Sequence, residues 1–411
     1  MPRNERAARR VRHGSRVGDR PILRWTAAGL AGVFGFAAVL AGSYVQNLQN
    51  SFTTQDIGSL VGAPSEAPDP TITASPTEDA TPVDASAGKD LNILLIGSDV
   101  RSGENSKIGG YVGGMRSDTT MIMHISADRS RIDVLSIPRD MRVRVSDCKL
   151  FDGTPVRGWT GKFNIAFSNG GKNGNEAEAA ACTMKTLQDL TGITFDHYAV
   201  VDFAGFKNMI NAVDGVPMCV PKKIDDRRAG LHVKAGPQVL DGKTALAWAR
   251  VRHIGDGTDL GRISRQQELL TNLARKVLGM NVLTDAPQLT LLLKSAGESM
   301  TMDPDLGSFT YLLGLGYSMR NIDQKNINFL TVPWKYAGDK SGDVLPTEDA
   351  AIVYKRIKND IPMDGGKKHS TKPSSTPKPS SSSSTQPSAE PTTEPTPERQ
   401  TQNQILAECD A

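Results

Sequence analysis

Apolar positions along the chain fall into two regimes. Trp25 to Val45 run for 21 residues without a charged side chain, about the ~20 that a helix needs to cross a bilayer. Further on, shorter apolar runs are punctuated by polar turns. Leu91 to Ile96 is nearly continuous and ends at Gly97, which predicts a strand buried on both faces. Thr119 to Ile125 and Ile132 to Ile137 predict two more strands, separated by the turn residues Asp128 to Ser130. Asn328 to Val332 predicts a late strand closed by Pro333. Between them the period changes to that of helices. Asn175 to Leu190 is Ala-rich and stops at Gly192, and Val201 to Val213 spaces Phe203, Phe206, Ile210 and Val213 by three and four before Gly215. Ser264 to Leu278 is the clearest amphipathic helix, with Leu269, Leu270, Leu273 and Val277 on one face and Ser264 and Gln267 spaced as a capping box. Thr244 to Val251 reads as a short helix or strand, and Gly161 to Asn173 as a Gly/Asn-rich loop. Strands interleaved with helices predict a mixed α/β sandwich.

Composition assigns the flanks. Residues 46–88 are rich in Ser, Thr, Pro and Ala without apolar periodicity and read as a spacer. Residues 363–411 include a Ser/Thr/Pro run through Ser381 to Ser384, which cannot bury a core and reads as a disordered tail. One folded domain, residues 89–362, is left between them. Eight Arg in residues 1–24, opposed only by Glu5 and Asp19, precede the apolar span, and Trp25 stands at its boundary. The positive-inside rule and the aromatic belt then predict a single-pass, uncleaved anchor at 25–45, with a cytoplasmic basic tail and everything else outside the cell membrane.

The net charge of +3 is too small to attract nucleic acid by bulk electrostatics. Twenty-four cytoplasmic residues also cannot fold a DNA-reading domain. Of the four cysteines, Cys148 and Cys182 both fall in the folded region and are the preferred disulfide, with free buried thiols as the alternative. Cys219 and Cys409 pair only if the far C-terminus docks back on the domain.

No G-x-S-x-G elbow or H-E-x-x-H is present. Gly236 to Thr244 has five residues between its glycines where a phosphate loop requires four, and reads as a turn leading into a helix. Arg and Asp carry the chemical signal. Asp99 follows the buried strand, where a sheet delivers side chains to a cleft. Arg116 and Asp118 are two apart at a strand entry and share a face; Arg139 and Asp140 follow Pro138 at a strand exit. Arg250 and Arg252 are again two apart, and Arg262 and Gln266 are four apart on one helix face. Guanidinium forks bind phosphate oxygens bidentately. A divalent cation on one or two carboxylates neutralises the rest. Such a set, without Lys, Cys or His nucleophiles, suits direct phosphoryl transfer to a hydroxyl.

Eight stretches resemble the LytR-CpsA-Psr family of cell-wall enzymes. They are N-I-L-L-I-G-S-D-V-R from Asn92, M-R-S-D-T-T-M from Met115, S-I-P-R-D from Ser136, K-F-N-I-A-F-S-N-G-G from Lys162, D-H-Y-A-V-V-D-F-A-G-F from Asp196, D-G-V-P-M-C-V from Asp214, L-D-G-K-T-A-L-A-W-A-R-V-R from Leu240 and D-L-G-R-I-S-R-Q-Q from Asp259. They occur in the family's order across nearly all of 89–362. The resemblance implies an α/β/α sandwich with a mixed central sheet, a hydrophobic pocket for a polyprenyl chain and a polar mouth for its pyrophosphate. It implies transfer of a glycopolymer from a polyprenyl-pyrophosphate carrier to peptidoglycan, usually the 6-hydroxyl of N-acetylmuramic acid, in a Gram-positive envelope; the cysteine pair and the Pro/Ser tail lean toward an actinobacterial one.

Asp99 and Asp118 match the family's magnesium carboxylates, with manganese as a substitute. Arg116, Arg139, Arg250, Arg252, Arg262 and Gln266 match the polar residues around the pyrophosphate, and Arg139, Asp118, Arg250 and Arg252 are the catalytic candidates. The glycine-rich segment between Asp99 and Arg116 reads as a loop over the mouth, longer than in many relatives. Competing readings are a non-catalytic carrier-binding scaffold, hydrolysis of the same substrate, or transfer to a surface protein.

Overall fold

The computed structural model describes residues 52–62, 82–100, 115–227, 229–251, 259–280, 286–339 and 341–365, together with Cys409. The expected basic tail, the 25–45 span, the loop 101–114, Arg252 and most of the Ser/Pro tail lie outside the described residues. Among the described residues no helix is long and apolar enough to cross a membrane.

Seven strands form one mixed sheet: β1 (Thr53–Thr54), β2 (Leu91–Ser98), β3 (Ser117–Ile125), β4 (Ile132–Ile137), β5 (His197–Val201), β6 (Met300–Met302) and β7 (Ile327–Thr331). Their spatial order is β1-β6-β5-β2-β3-β4-β7. β2 and β4 are antiparallel to β3, which lies between them, while β5 runs parallel to β2 and β7 parallel to β4. All six residues of β4 are buried, and six of the eight in β2, as continuous apolar runs require of strands covered on both faces.

Alternate side chains divide between two cores. Leu94, Ile96, Ile122 and Leu135 pack on one face against α1 (Ile165–Gly170), α2 (Glu176–Thr191) and α8 (Glu348–Lys358). Ile93, Met121, Val134 and Ala199 pack on the other against α5 (Asp259–Gly279) and α7 (Phe309–Met319). The result is the expected three-layer α/β/α arrangement. Three further helices bear on the site: α3 (Phe203–Ala212), α4 (Gly242–Arg250) and α6 (Ala286–Ser299).

Local chemistry sets the helix ends. The Asn175 side-chain oxygen accepts from the Ala177 and Glu178 backbone N–H groups, and Gly192 closes α2 at φ 68°. Asp241 caps α4 by accepting from Thr244, so the glycine pair beginning at Gly236 is a strand and turn feeding a helix, not a phosphate loop.

Three expectations are corrected. Gly161 to Asn173 contains α1, because Phe163, Ala166 and Phe167 bury completely; Gly170 also lies so close to the Glu178 and Ala179 backbone that a Cβ would clash at 2.2 Å. α5 begins at Asp259, five residues earlier than read, so Ser264 is an exposed interior position and no capping box forms. Gln267 instead donates to Ser136 Oγ at 2.9 Å and Thr331 Oγ1 at 3.2 Å, tying the helix to the sheet. The described parts of the expected spacer 46–88 belong to the fold: β1 pairs with β6, Ile57 and Val61 enter the core, and Asp84 is buried against Arg129.

Cys148 and Cys182 are bonded, fastening the hairpin at Cys148–Lys149 to α2. Cys219 is bonded to Cys409, which ties that residue back to the domain.

Candidate functional site

β2, β4, β5 and β7 end at one edge of the sheet and antiparallel β3 begins there, as the register requires. Asp99, Asp118, Arg139 and Asp202 therefore converge on the crevice outside the carboxyl ends of parallel strands, where α/β sheets place ligands. A cavity of about 470 Å³ opens there between the sheet and α3, α4 and α5. Its walls are apolar, with Leu95, Met121, Phe206, Met209, Leu269, Leu270 and Leu273 among them. Its polar residues are Ser98, Asp118, Thr119, Asp202, Arg250, Arg262 and Gln266.

Arg262 is the most buried charged residue among these, 2% exposed. Its Nη2 donates to the Asp118 carbonyl oxygen at 3.1 Å, and its Nη1 stands 3.9 Å from Asp118 Oδ1. Arg139 Nη1 donates to that same Oδ1 at 2.7 Å. Asp118 thus sits between two guanidinium groups. Arg139 Nε lies 3.6 Å from Asp140, which accepts from Lys162 at 2.7 Å; that hydrogen bond raises the Lys162 ammonium above its usual range.

Arg250, at the end of α4, holds its guanidinium 4.4 Å from the centre of the Phe203 ring, a cation–π contact that fixes the charge beside apolar surface. Gln266 donates to the Ala249 carbonyl at 3.1 Å, and its Oε1 is buried without a hydrogen-bond partner among the described residues.

The four-residue spacing of Arg262 and Gln266 does place both on the cavity face of α5. Asp118 and Arg250 join them, and Arg139 is attached through Asp118. Arg116 does not line the cavity; it is exposed, and its backbone N–H donates to Asp99 Oδ1 at 2.8 Å. Asp99 is held against the Arg116 backbone in return, its N–H donating to the Arg116 carbonyl. Asp202 was not singled out from sequence. It lines the cavity and caps α3 by accepting from Gly205 N, and its position directly after a strand and before a helix was the available signal.

Asp99 and Asp118 stand at neighbouring ends of β2 and β3. Among the described residues no group of three or more His, Cys, Asp or Glu is arranged to hold a metal alone. Magnesium commonly binds through one or two carboxylates plus substrate phosphate oxygens. The donor set therefore fits a cation that arrives with a phosphate ligand.

The profile of the LytR_cpsA_psr family matches residues 63–360. The cell wall biosynthesis protein LcpA of Corynebacterium glutamicum is 30% identical over 263 residues, 59% of this chain and 49% of that protein. The regulatory protein MsrR of Staphylococcus aureus is 30% identical over 247 residues, 60% of this chain and 65% of that protein. The chain thus spans about half to two thirds of the length of these curated relatives. Among solved structures, TagV of Bacillus subtilis aligns with a TM-score of 0.51 at 27% identity, covering 68% of this chain and 99% of that one. A Streptococcus agalactiae protein aligns at 0.53 and 22% identity, covering 70% and 92%, a likeness of fold alone.

Proposed function

The chain belongs to the LytR-CpsA-Psr family, and from that premise we propose that it transfers a phosphate-linked glycopolymer from a polyprenyl-pyrophosphate carrier to a cell-wall hydroxyl, releasing polyprenyl phosphate. The observation that carries this reading is the make-up of the cavity: deep apolar walls from α3, α4 and α5 under a mouth of Arg250, Arg262, Asp118 and Arg139. Such a site suits a ligand with a long apolar chain and an anionic head. A role in cell wall biosynthesis accords with the Corynebacterium relative being called a cell wall biosynthesis protein. The proposed acceptor is peptidoglycan, at the 6-hydroxyl of N-acetylmuramic acid, and the proposed location is the outer face of the cell membrane behind the 25–45 anchor.

In this reading Arg262 and Arg250 hold the pyrophosphate oxygens, and Arg139 spreads the charge that develops on the departing polyprenyl phosphate. The acceptor oxygen bonds to the glycan-side phosphorus as the bond from that phosphorus to the bridging oxygen breaks, and the bridging oxygen leaves with polyprenyl phosphate, keeping the electron pair. Asp118 holds Arg139 and Arg262 in register for both steps. With Asp99 it would bind magnesium (manganese in its place), which supplies charge neutralisation.

Full-length protein in detergent micelles, given a polyprenyl-pyrophosphate saccharide and a glycan acceptor, tests this by chromatography of the released lipid. Release that needs magnesium and is lost in Arg139→Ala and Asp118→Asn is expected. Tight carrier binding without turnover would replace transfer with a scaffold role. Release unaffected by the glycan, with water as sole acceptor, would make the protein a hydrolase.

A further inference from the structure

A second cavity, of about 710 Å³, lies at the same sheet edge. Its volume is within the roughly 300–1,000 Å³ of small-molecule sites. Unlike the first it is polar and open. Four side-chain amides (Gln55, Asn173, Asn175 and Asn208) and three carboxylates (Glu176, Asp202 and Glu298) line it, with no Lys, Arg or His among the lining residues. An anionic ligand is therefore disfavoured. The carboxylates are also not arranged as a metal group among the described residues.

The two cavities meet across the ends of β2 and β5. Asp202 lines both. Ser98, on the wall of the apolar cavity, shares a side-chain hydrogen bond with Glu176 on the wall of the polar one. Glu176 Oε2 accepts from Thr301 Oγ1 at 3.0 Å, while Oε1 is buried with no hydrogen-bond partner among the described residues. A buried acceptor of that kind is costly unless a ligand donor satisfies it.

Acceptor-rich walls without cations match a neutral ligand bristling with hydroxyl and amide N–H donors, and an open cleft admits one unit of a long chain. We infer that this polar cleft is the acceptor site, holding a neutral N-acetylated saccharide so that one hydroxyl reaches the pyrophosphate across the seam at Asp202. The inference rests on the proposed transfer reaction and adds to it where the acceptor lies. When the acceptor oxygen bonds to phosphorus and polyprenyl phosphate leaves with the bridging electron pair, the hydroxyl proton passes to the Asp202 carboxylate.

Chitotetraose binding to full-length protein in micelles, followed by ligand-observed NMR, tests the cleft without any turnover. Asn208 and Glu298 are exposed, so Asn208→Leu with Glu298→Leu alters the cleft surface and leaves the core intact. The double variant is expected to weaken chitotetraose binding about tenfold or more, and Arg139→Ala is expected to bind it as wild type does. Unchanged affinity in the double variant, or no binding by wild type, would overturn the inference. So would displacement by a lysine-containing peptide that binds in place of the saccharide.

In the transfer assay the double variant should raise KM for the saccharide and not for the lipid donor. Asp202→Asn, which keeps an oxygen to cap α3, should bind the saccharide yet slow transfer about tenfold or more; an unchanged rate removes Asp202 from the proton's path. Saccharide binding that depends on Asn208 and Glu298 in a protein with no transferase activity would sink the transfer reading and leave the cleft standing. Transfer whose saccharide KM ignores the double variant would do the reverse.

Discussion

Arg129→Met is the sharpest test of how the chain before the first long strand is held. Arg129 bridges the turn between β3 and β4 and residues 84–89. Its Nε donates to Asp84 Oδ2 at 2.9 Å, and its Nη atoms reach the carbonyls of Lys89, Ser86 and Ser126 at 2.7, 2.7 and 2.9 Å. The two charged side chains are only 7% and 4% exposed. Methionine keeps the stem and removes every donor. The carboxylate then stays buried without its cation, and three carbonyls lose a partner. Breaking a buried pair from one side costs about 3–5 kcal/mol. At about 2–4 °C per kcal/mol for a domain this large, melting should fall on the order of 10 °C, read by circular dichroism on the full chain.

The pH dependence has a definite sign. Burial alone would raise the Asp84 pKa, but hydrogen bonds from Ser86, Arg129 and Ser318 outweigh it and hold the group at about 2 against an ordinary 3.8. Its stabilisation is therefore complete above pH 3.8 and is lost as pH falls toward 2. Arg129→Met should reduce that acid-side loss as well as the melting point. A melting temperature within 2 °C of wild type, with the same acid limb (the 2 °C being about one kcal/mol or less), would refute this reasoning.

Replacing Cys148 and Cys182 by Ala opens a loop with a sequence separation of 34, which the chain-entropy relation puts at roughly 4 kcal/mol; an unmoved guanidinium midpoint would contradict it. Glu176→Gln has a pH signature of its own. Burial raises the Glu176 carboxyl above 4.5, against opposing hydrogen bonds from Ser98 and Thr301. A raised acid pKa costs folded stability as pH rises from 4.5 through the folded value. The variant's advantage in melting temperature should therefore grow from pH 4 to pH 7 (both on the order of the ordinary carboxylate range and neutrality), and a pH-independent difference would count against the burial argument. Leu273→Trp fills part of the apolar cavity and should weaken polyprenyl-pyrophosphate binding about tenfold or more at a stability cost of only about 1–3 kcal/mol. Undiminished lipid affinity in that variant would place the lipid elsewhere.

The central strands were legible because continuous apolar runs such as Leu91 to Ile96 have few alternatives, and α2 because Asn175 and Gly192 mark both ends. Less visible were elements stabilised from a distance. α1 reads as loop in sequence because Gly and Asn recur through residues 161–173 around it, and only the burial of Phe163 and Phe167 makes it helical. β1 is two threonines that matter only beside Thr301 and Met302.

At the site, helical spacing sufficed for Arg262 and Gln266. The meeting of Asp118 with Arg139 needed the β3–β4 register, and that of Arg250 with Phe203 needed the packing of α4 on α3. Asp202 escaped notice since a capping aspartate looks the same whether or not a cavity opens beside it.

The central claim is that one cavity takes a polyprenyl chain under its cluster of arginines. A polyprenyl pyrophosphate bearing a photoreactive diazirine in its tail, cross-linked to the full chain and located by peptide mass spectrometry, tests it most directly. Labels on α3 and α5, around Phe206, Leu269 and Leu273, that fade when Arg262 is replaced by Met are the expected result. Labels confined to other surfaces, or equally strong on those helices without Arg262, would contradict the account.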